Sequence, residues 1–239
     1  MDKSKKNDKR LNGKIKSADT PTGASGPSQA YVEPSDYGPS GPPSLSENVE
    51  LSDYLEICIE EYLFGDLESI TKFVPSRAKG NASFPMVLSI CAGMEFLGAL
   101  LLPPIEEEYV DHGRDCEYFG HYWKNYLGVV NAKYNKEING HVAHDLIRNG
   151  LAHHFMVKFG IGTVRSQPER HLTIENPGTI FVIDADRLYE DFRKSYFEIA
   201  KNIILGGGIE LASKRLEQIM LLNRTRSSDF RKKMSNNSQ

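Results

Sequence analysis

The sequence predicts a mainly α-helical fold, a helical bundle with a small β-hairpin or three-stranded ribbon inserted after one of the later helices. Three observations lead to this prediction. Apolar side chains recur at helical spacing from about residue 52 to residue 131. The apolar segment 86–102 contains one charged residue, Glu95. Between residues 155 and 184 the spacing changes to short β-branched and aromatic runs typical of strands.

The first two helices are bounded by clear signals. The first begins near Ser52 and ends at about Phe73, because Pro75 disfavours helical geometry in the residue that precedes it. The segment 86–102 is expected to be a buried core helix. Glu95 lies at its centre, and a carboxylate there makes a membrane span costly.

The remaining elements follow from changes in spacing and from helix breakers. Asp184 or Asp186 is expected to cap the helix after the strands, and glycines at 206–208 should end it. The predicted elements are, in order, a helix over 115–131, a helix over 136–154, a hairpin or ribbon at about 155–184, a helix to about residue 205 and a last helix over 209–223.

Charge divides the chain into an acidic body and basic ends. The net charge is +5 over residues 1–16 and +4 over residues 224–239, which leaves −12 for residues 17–223. We predict a disordered arm over residues 1–48, rich in Pro, Gly, Ser and Lys, one domain over 49–223 and a flexible basic tail over 224–239. An acidic body argues against a broad nucleic-acid surface, so a phosphate site must be local or use the tails.

The three cysteines indicate no disulfide framework. Cys58, Cys91 and Cys116 are odd in number, widely spaced and outside any CxxC motif. Reduced thiols in a cytoplasmic protein are therefore expected.

Four histidines on the predicted fourth helix raise the question of a metal site. His141 and His144 lie about 60° apart around a helix, but His144 and His153 lie about 180° apart, so one helix cannot gather all four. No HExxH motif or comparable ligand spacing is present, and no metal or cofactor is expected. His141 and His144 share one side with Arg148, and together with His154 they are candidates to line the same cleft.

The chemistry of the chain is concentrated in residues 148–153, Arg-Asn-Gly-Leu-Ala-His. On a helix, Asn149 and His153 stack about 40° apart, and Arg148 lies to one side at an axial offset of about 7.5 Å from His153. A phosphate could sit among the three. Histidine exchanges protons near neutral pH, and arginine holds phosphate oxygens and stabilises the charge that develops on them. Such groups can cleave RNA without a metal.

The pattern Arg148-Asn149-x3-His153 resembles the R-polar-x(3–5)-H signature of the HEPN superfamily (higher eukaryotes and prokaryotes nucleotide-binding). The resemblance extends over about residues 46–223, and the motif and the helix pattern carry it. It implies an α-helical bundle and a metal-independent endoribonuclease, of a kind found in toxin–antitoxin, abortive-infection and phage-defence systems. It also implies an active site formed across a homodimer and an acidic residue on an earlier helix, which Glu95 matches.

The resemblance assigns roles to these residues. Arg148 would bind and polarise the scissile phosphate, His153 would be the general acid or base, Asn149 would orient His153 or the ribose, and Glu95 would fix Arg148. RNA is the expected partner, with a second copy of the chain and an antitoxin or other protein as further partners, and no membrane is expected.

Two alternatives stay open at this point. The chain could be a catalytically inactive HEPN-like scaffold that binds a protein partner or a nucleotide, or an unrelated helical interaction protein. In those cases Arg148 would form a structural ion pair with Asp145 or Glu95, and His153 would be an ordinary histidine near a helix end.

Overall fold

Helices form most of the structure, and a small three-stranded sheet follows the helix that contains Arg148 and Asn149. This confirms the predicted mainly α fold with a small β insertion. The computed structural model describes residues 50–76, 81–103, 114–136, 138, 140–149, 160–175 and 180–236. The predicted arm over residues 1–48 lies outside the described residues and stays a prediction.

The elements follow one another along the chain as seven helical stretches and three strands among the described residues. The helices are α1 (51–73), α2 (Ser83–Leu101), α3 (115–130), α4 (Lys133–Lys136), α5 (140–149), α6 (185–205) and α7 (Ile209–Asn236). The strands are β1 (Ile161–Val164), β2 (Thr173–Glu175) and β3 (Ile180–Asp184), with a 3₁₀ turn at Pro168–Arg170. Wider π-type turns occur within the longer helices and in α5, at Leu55–Phe64, Trp123–Leu127, His144–Asn149 and Tyr196–Ala200.

Helix α2 lies at the centre of the bundle and packs against α3, α5, α6 and α7. Its length and composition would allow it to cross a membrane, and it is the one such helix in the described part of the chain. However, 56% of its most apolar window is buried within the protein, as in the core helix of a soluble protein. This packing fits the interpretation of the apolar segment as a core helix.

Two glycines let the helices around α2 approach closely. A Cβ atom added at Gly98 would lie 2.0 Å from the backbone oxygen of Tyr118 in α3, and one at Gly140 would lie 2.6 Å from Cα of Gly120. Both neighbours are backbone atoms, so no side-chain rotation could make room. Helix α3 is therefore held against α2 on one side and against the start of α5 on the other.

The predicted fourth helix begins later than expected, and a short separate helix precedes it. It was expected over 136–154, but α4 ends at Lys136, α5 begins at Gly140, and Ile138 between them is not helical. The Trp123 indole N–H donates to the carbonyls of Tyr134 (2.8 Å) and Ile138 (3.3 Å). These carbonyls therefore bind the indole, whereas in a continuous helix they would accept from backbone N–H groups four residues later. Residues 150–154, the predicted end of this helix, lie outside the described residues.

The sheet is mixed, with strand order β1-β3-β2. Strands β2 and β3 form the predicted antiparallel hairpin, and β1 adds to β3 in parallel, with Ile161 beside Phe181. Strand β1 begins directly after Gly160, where the chain turns with φ 101°. Residues 155–159, the predicted start of the ribbon, lie outside the described residues. Asp184 ends β3 and caps α6 as predicted, because its side chain accepts a hydrogen bond from the backbone N–H of Arg187 at 2.8 Å.

Helix α7 is longer than predicted. The last helix was expected to end at residue 223 and to be followed by a flexible tail, but it continues to Asn236. The helix boundary was therefore wrong. Residues 209–236 contain neither glycine nor proline, so nothing in this segment interrupts helix propagation once the first half is anchored.

A buried polar network joins the sheet to the bundle. Asp191 accepts hydrogen bonds from Tyr134 Oη (3.2 Å) and Asn131 Nδ2 (3.3 Å), and Arg187 Nη2 lies 2.9 Å from its other oxygen. His171 Nε2 lies 2.9 Å from Tyr134 Oη. Because the tyrosine proton is directed to Asp191, His171 is the donor to Tyr134. Burial lowers the pKa of His171 from 6.5 to about 4, with a further contribution from the charge of Arg187.

This network predicts a loss of stability in mild acid. His171 stays neutral in the folded protein down to about pH 4, whereas in the unfolded chain it binds a proton below about pH 6.5. Its contribution to the free energy of unfolding should therefore be constant above pH 6.5 and fall by about 3 kcal/mol as the pH drops to 4. Urea unfolding of the wild type and of His171→Gln, which keeps a donor but does not titrate, measures this. Equal slopes between pH 6.5 and 4 in the two proteins would contradict the prediction.

Candidate functional site

The centre of the candidate site is an ion pair between α2 and α5. Glu95 Oε1 lies 2.6 Å from Arg148 Nε, and Arg148 Nη2 donates to Oε2 at 3.1 Å. The guanidinium therefore meets the carboxylate through two parallel contacts, a geometry that fixes its orientation as well as its position. The side chain of Glu95 is 14% exposed and that of Arg148 is 25% exposed. The structure confirms that Glu95 and Arg148 are partners, as expected for a carboxylate alone in an apolar helix.

His144 is a second partner of the same carboxylate. Its Nε2 lies 3.0 Å from Glu95 Oε1, and its side chain is only 7% exposed. A carboxylate only accepts hydrogen bonds, so Nε2 carries the proton and donates. The Phe119 ring packs against the imidazole at a centroid distance of 5.4 Å with an edge-on geometry. His144 therefore reaches the site from the buried side, and Arg148 from the more exposed side.

Helical spacing accounts for the convergence of these groups. His144 and Arg148 are four residues apart, so both project from one face of α5 toward α2. The close contacts at Gly98 and Gly140 hold α2 and α5, respectively, against α3. Sequence reasoning placed His144 on the same side as Arg148 but did not foresee that it binds Glu95. The i, i+4 spacing opposite a buried carboxylate was the signal that could have revealed it.

Cys91, one helical turn before Glu95, does not add a nucleophile to the site. The thiol is buried, and burial together with the charge of Glu95 raises its pKa well above its usual range. The thiol therefore stays protonated at neutral pH. It is a poor nucleophile in this form, because the thiolate is the reactive species.

The structure describes only one of the two remaining motif residues. Asn149 ends the described part of α5 and is half-buried, and none of the hydrogen bonds found among the described residues involves it. His153 and His154 lie outside the described residues, in the gap between 149 and 160. The predicted roles of Asn149, His153 and His154 therefore stay predictions.

His141 lies apart from the Glu95 cluster. It is exposed, and its Nδ1 lies 3.1 Å from Cys116 Sγ. It lines a groove of about 680 Å³ beside His121 and Glu117, and neither Glu95 nor Arg148 is among the residues that line this groove. His144 does not line this groove either, and the expectation that His141, His144 and His154 line one cleft stays a prediction. The 60° between His141 and His144 directs His144 into the core and His141 toward the surface.

No group of three or more His, Cys, Asp or Glu side chains comes together as a metal site within the described ranges. The chemistry available at Glu95, His144 and Arg148 is that of charge and hydrogen bonding. Glu95 takes up two of the five N–H donors of Arg148, and the Arg148 side chain is 25% exposed. Arg148 can therefore be held rigidly and still donate to an oxygen of a bound anion.

Comparison of the chain with family models finds no match, and comparisons with curated proteins and with solved structures find no significant match. The likeness to the HEPN superfamily therefore rests on the residues of the motif and on the helix pattern.

The Glu95–Arg148 pair should be strongly coupled in stability. A double-mutant cycle with Glu95→Ala and Arg148→Ala is expected to give a coupling energy of about 1–3 kcal/mol in urea unfolding, because each single change leaves a poorly solvated charge behind. The exposed pair Glu68–Lys72, with a contact of 2.7 Å, is the matched control. Its coupling should be much smaller, because both side chains are exposed and stay solvated when the partner is removed. Equal coupling in the two pairs would contradict this account of the site.

Proposed function

We propose that the chain is a metal-independent endoribonuclease of HEPN type that acts as a homodimer in the cytoplasm, as a toxin or phage-defence effector. The observation that carries the proposal is that Arg148, although held by Glu95 through two contacts, keeps a 25% exposed side chain at the start of the RNxxxH sequence and can still reach a bound phosphate. The biological setting rests on the family resemblance alone.

The reaction would proceed by attack of the ribose 2′-OH on the adjacent phosphorus. A base removes the proton from the 2′-oxygen, the new O–P bond forms, and the bond to the 5′-oxygen breaks as an acid protonates it. The products are a 2′,3′-cyclic phosphate and a 5′-hydroxyl. One imidazole cannot serve as base and acid in a single step, so His153 of each subunit would take one role in a dimeric site.

Arg148 would stabilise the negative charge that builds up on the phosphoryl oxygens. A preorganised donor contributes most when it does not need to reorient during the reaction. Glu95 supplies that restraint at one edge of the guanidinium, and His144 holds Glu95 in place from the buried side. Asn149, at the end of α5, would orient His153 or a ribose hydroxyl.

A catalytically inactive scaffold that binds a protein partner or a nucleotide is the second candidate. One observation favours it: Glu95 neutralises Arg148, so the pair alone attracts a phosphate only weakly. In the enzyme, His153 or groups from the second subunit must supply the additional positive charge.

RNA cleavage in the presence of EDTA tests the proposal. Wild type should cut a single-stranded RNA of mixed sequence, and 2′-O-methyl RNA of the same sequence should stay intact. His153→Ala and Arg148→Ala should each slow cleavage by about 100-fold or more, because an acid–base group or a phosphate donor is lost. Glu95→Gln should slow it less, since Arg148 stays present but is less restrained.

Lys214→Ala is the matched control for loss of a positive charge, because Lys214 is exposed and pairs with Glu210 at 3.4 Å on α7. It should cut at the wild-type rate. Circular dichroism of each variant verifies that the fold is intact. Failure of the wild type to cut any RNA, or undiminished cutting by His153→Ala, would remove the enzyme proposal and favour the scaffold.

A further inference from the structure

The C-terminal half of α7 is rich in basic residues. The first half of α7 packs on the bundle, where the buried Arg215 donates hydrogen bonds to the carbonyls of Leu100 (3.1 Å) and Leu102 at the end of α2. From Asn223 onward the character changes, and residues 223–230 are all exposed. We refer to residues 223–236 as the distal segment; it is about 21 Å long at 1.5 Å per residue.

The distal segment differs in charge from the rest of the described chain. It has five basic residues and one acidic residue, Asp229, a net charge of +4, whereas the first half of α7 is neutral and residues 17–223 carry −12. The basic residues are Arg224, Arg226, Arg231, Lys232 and Lys233. The distal segment is continuous with the half of α7 that packs on the bundle. It therefore concentrates positive potential at one place on an otherwise acidic protein.

The distribution of these charges indicates which surface the helix fits. Arg224 and Arg226 lie about 160° apart around the helix, so the charge surrounds the segment and does not form one face. An interfacial membrane helix, or a helix that docks in a protein groove, requires an apolar face with several anchors at i, i+3, i+4 and i+7. The distal segment offers only Phe230 and Met234 at such spacing. A polyanion that contacts the helix from more than one side fits this pattern better.

Phe230 adds a second feature expected of nucleic-acid contact. Its side chain is 63% exposed, and it lies one helical turn after the exposed Arg226. An exposed aromatic ring among basic residues provides a stacking platform for an unpaired base. Burial in the core, the usual role of phenylalanine, does not apply here.

We propose that the distal segment of α7 is an RNA-binding arm, which contacts phosphates through its basic side chains and stacks Phe230 on a base. The choice of RNA as the polyanion rests on the proposed function. The observations of the basic helix and the exposed Phe230 ring do not depend on that proposal. The arm would supply the electrostatic attraction that the acidic body and the neutralised Glu95–Arg148 pair lack.

Binding of a fluorescently labelled single-stranded 2′-O-methyl RNA, followed by anisotropy at several salt concentrations, tests the arm. The triple variant Arg224→Gln, Arg226→Gln, Lys232→Gln should bind at least tenfold more weakly at low salt. The slope of log affinity against log salt should shrink by about 2 in magnitude, as expected when three contacts to a single strand are lost. Phe230→Ala should weaken binding about tenfold without changing the slope.

The control variant removes three exposed lysines elsewhere, Lys72→Gln, Lys194→Gln and Lys214→Gln, so that it matches the charge change. It should bind the RNA within about twofold of wild type, since only the location of the charge differs. Equal affinity and slope in the two triple variants would overturn the proposal.

Two further measurements separate other partners. If the helix variant changes the oligomeric state in sedimentation, or weakens binding to vesicles containing phosphatidylserine, while RNA binding is unchanged, the arm proposal is overturned. The 2′-O-methyl RNA reports binding without cleavage. If the wild type binds RNA through the distal segment but cuts no RNA, the proposed function is contradicted and the arm proposal is retained.

Discussion

The carboxylate of Glu95 constrains how α5 packs against α2. It lies at the centre of the most apolar helix of the described chain, where an unpaired charge would cost several kcal/mol. The bundle accommodates it by bringing α5 alongside, so that Arg148 and His144 reach the same carboxylate at 2.6 and 3.0 Å. These contacts set the register of α5 against α2, and the glycine contacts at Gly98 and Gly140 keep α3 close enough to both helices for this geometry to form.

The same constraint links the fold to the proposed function. Arg148 is held by its contacts with Glu95 but is not sealed in the core, as its 25% exposed side chain indicates. An arginine whose orientation is fixed before a phosphate arrives needs no reorganisation when negative charge develops. The restraint also has a cost, because Glu95 cancels most of the attraction of Arg148 for an anion. The basic arm proposed on α7 would compensate at longer range.

The sequence allowed parts of this arrangement to be predicted. The family resemblance paired Glu95 with Arg148, and the structure brings these two side chains together. The N-cap at Asp184, the ends of α1 and the hairpin followed from local signals. The break between α4 and α5 did not, because it depends on the indole of Trp123, which contacts the carbonyls of Tyr134 and Ile138 only in the folded bundle. The parallel pairing of β1 with β3 is equally non-local. The length of α7 was misjudged because basic composition was interpreted as flexibility.

The central claim is that Arg148, restrained by Glu95, is the group that binds phosphate. NMR observation of the Arg148 Nε–H signal, assigned by its loss in Arg148→Lys, tests this directly. A hydrogen-bonded Nε–H should exchange slowly with water, shift on addition of 2′-O-methyl RNA, and become rapidly exchanging in Glu95→Gln. If the signal stays unchanged while the RNA binds, Arg148 is a structural residue and the account of the site is wrong.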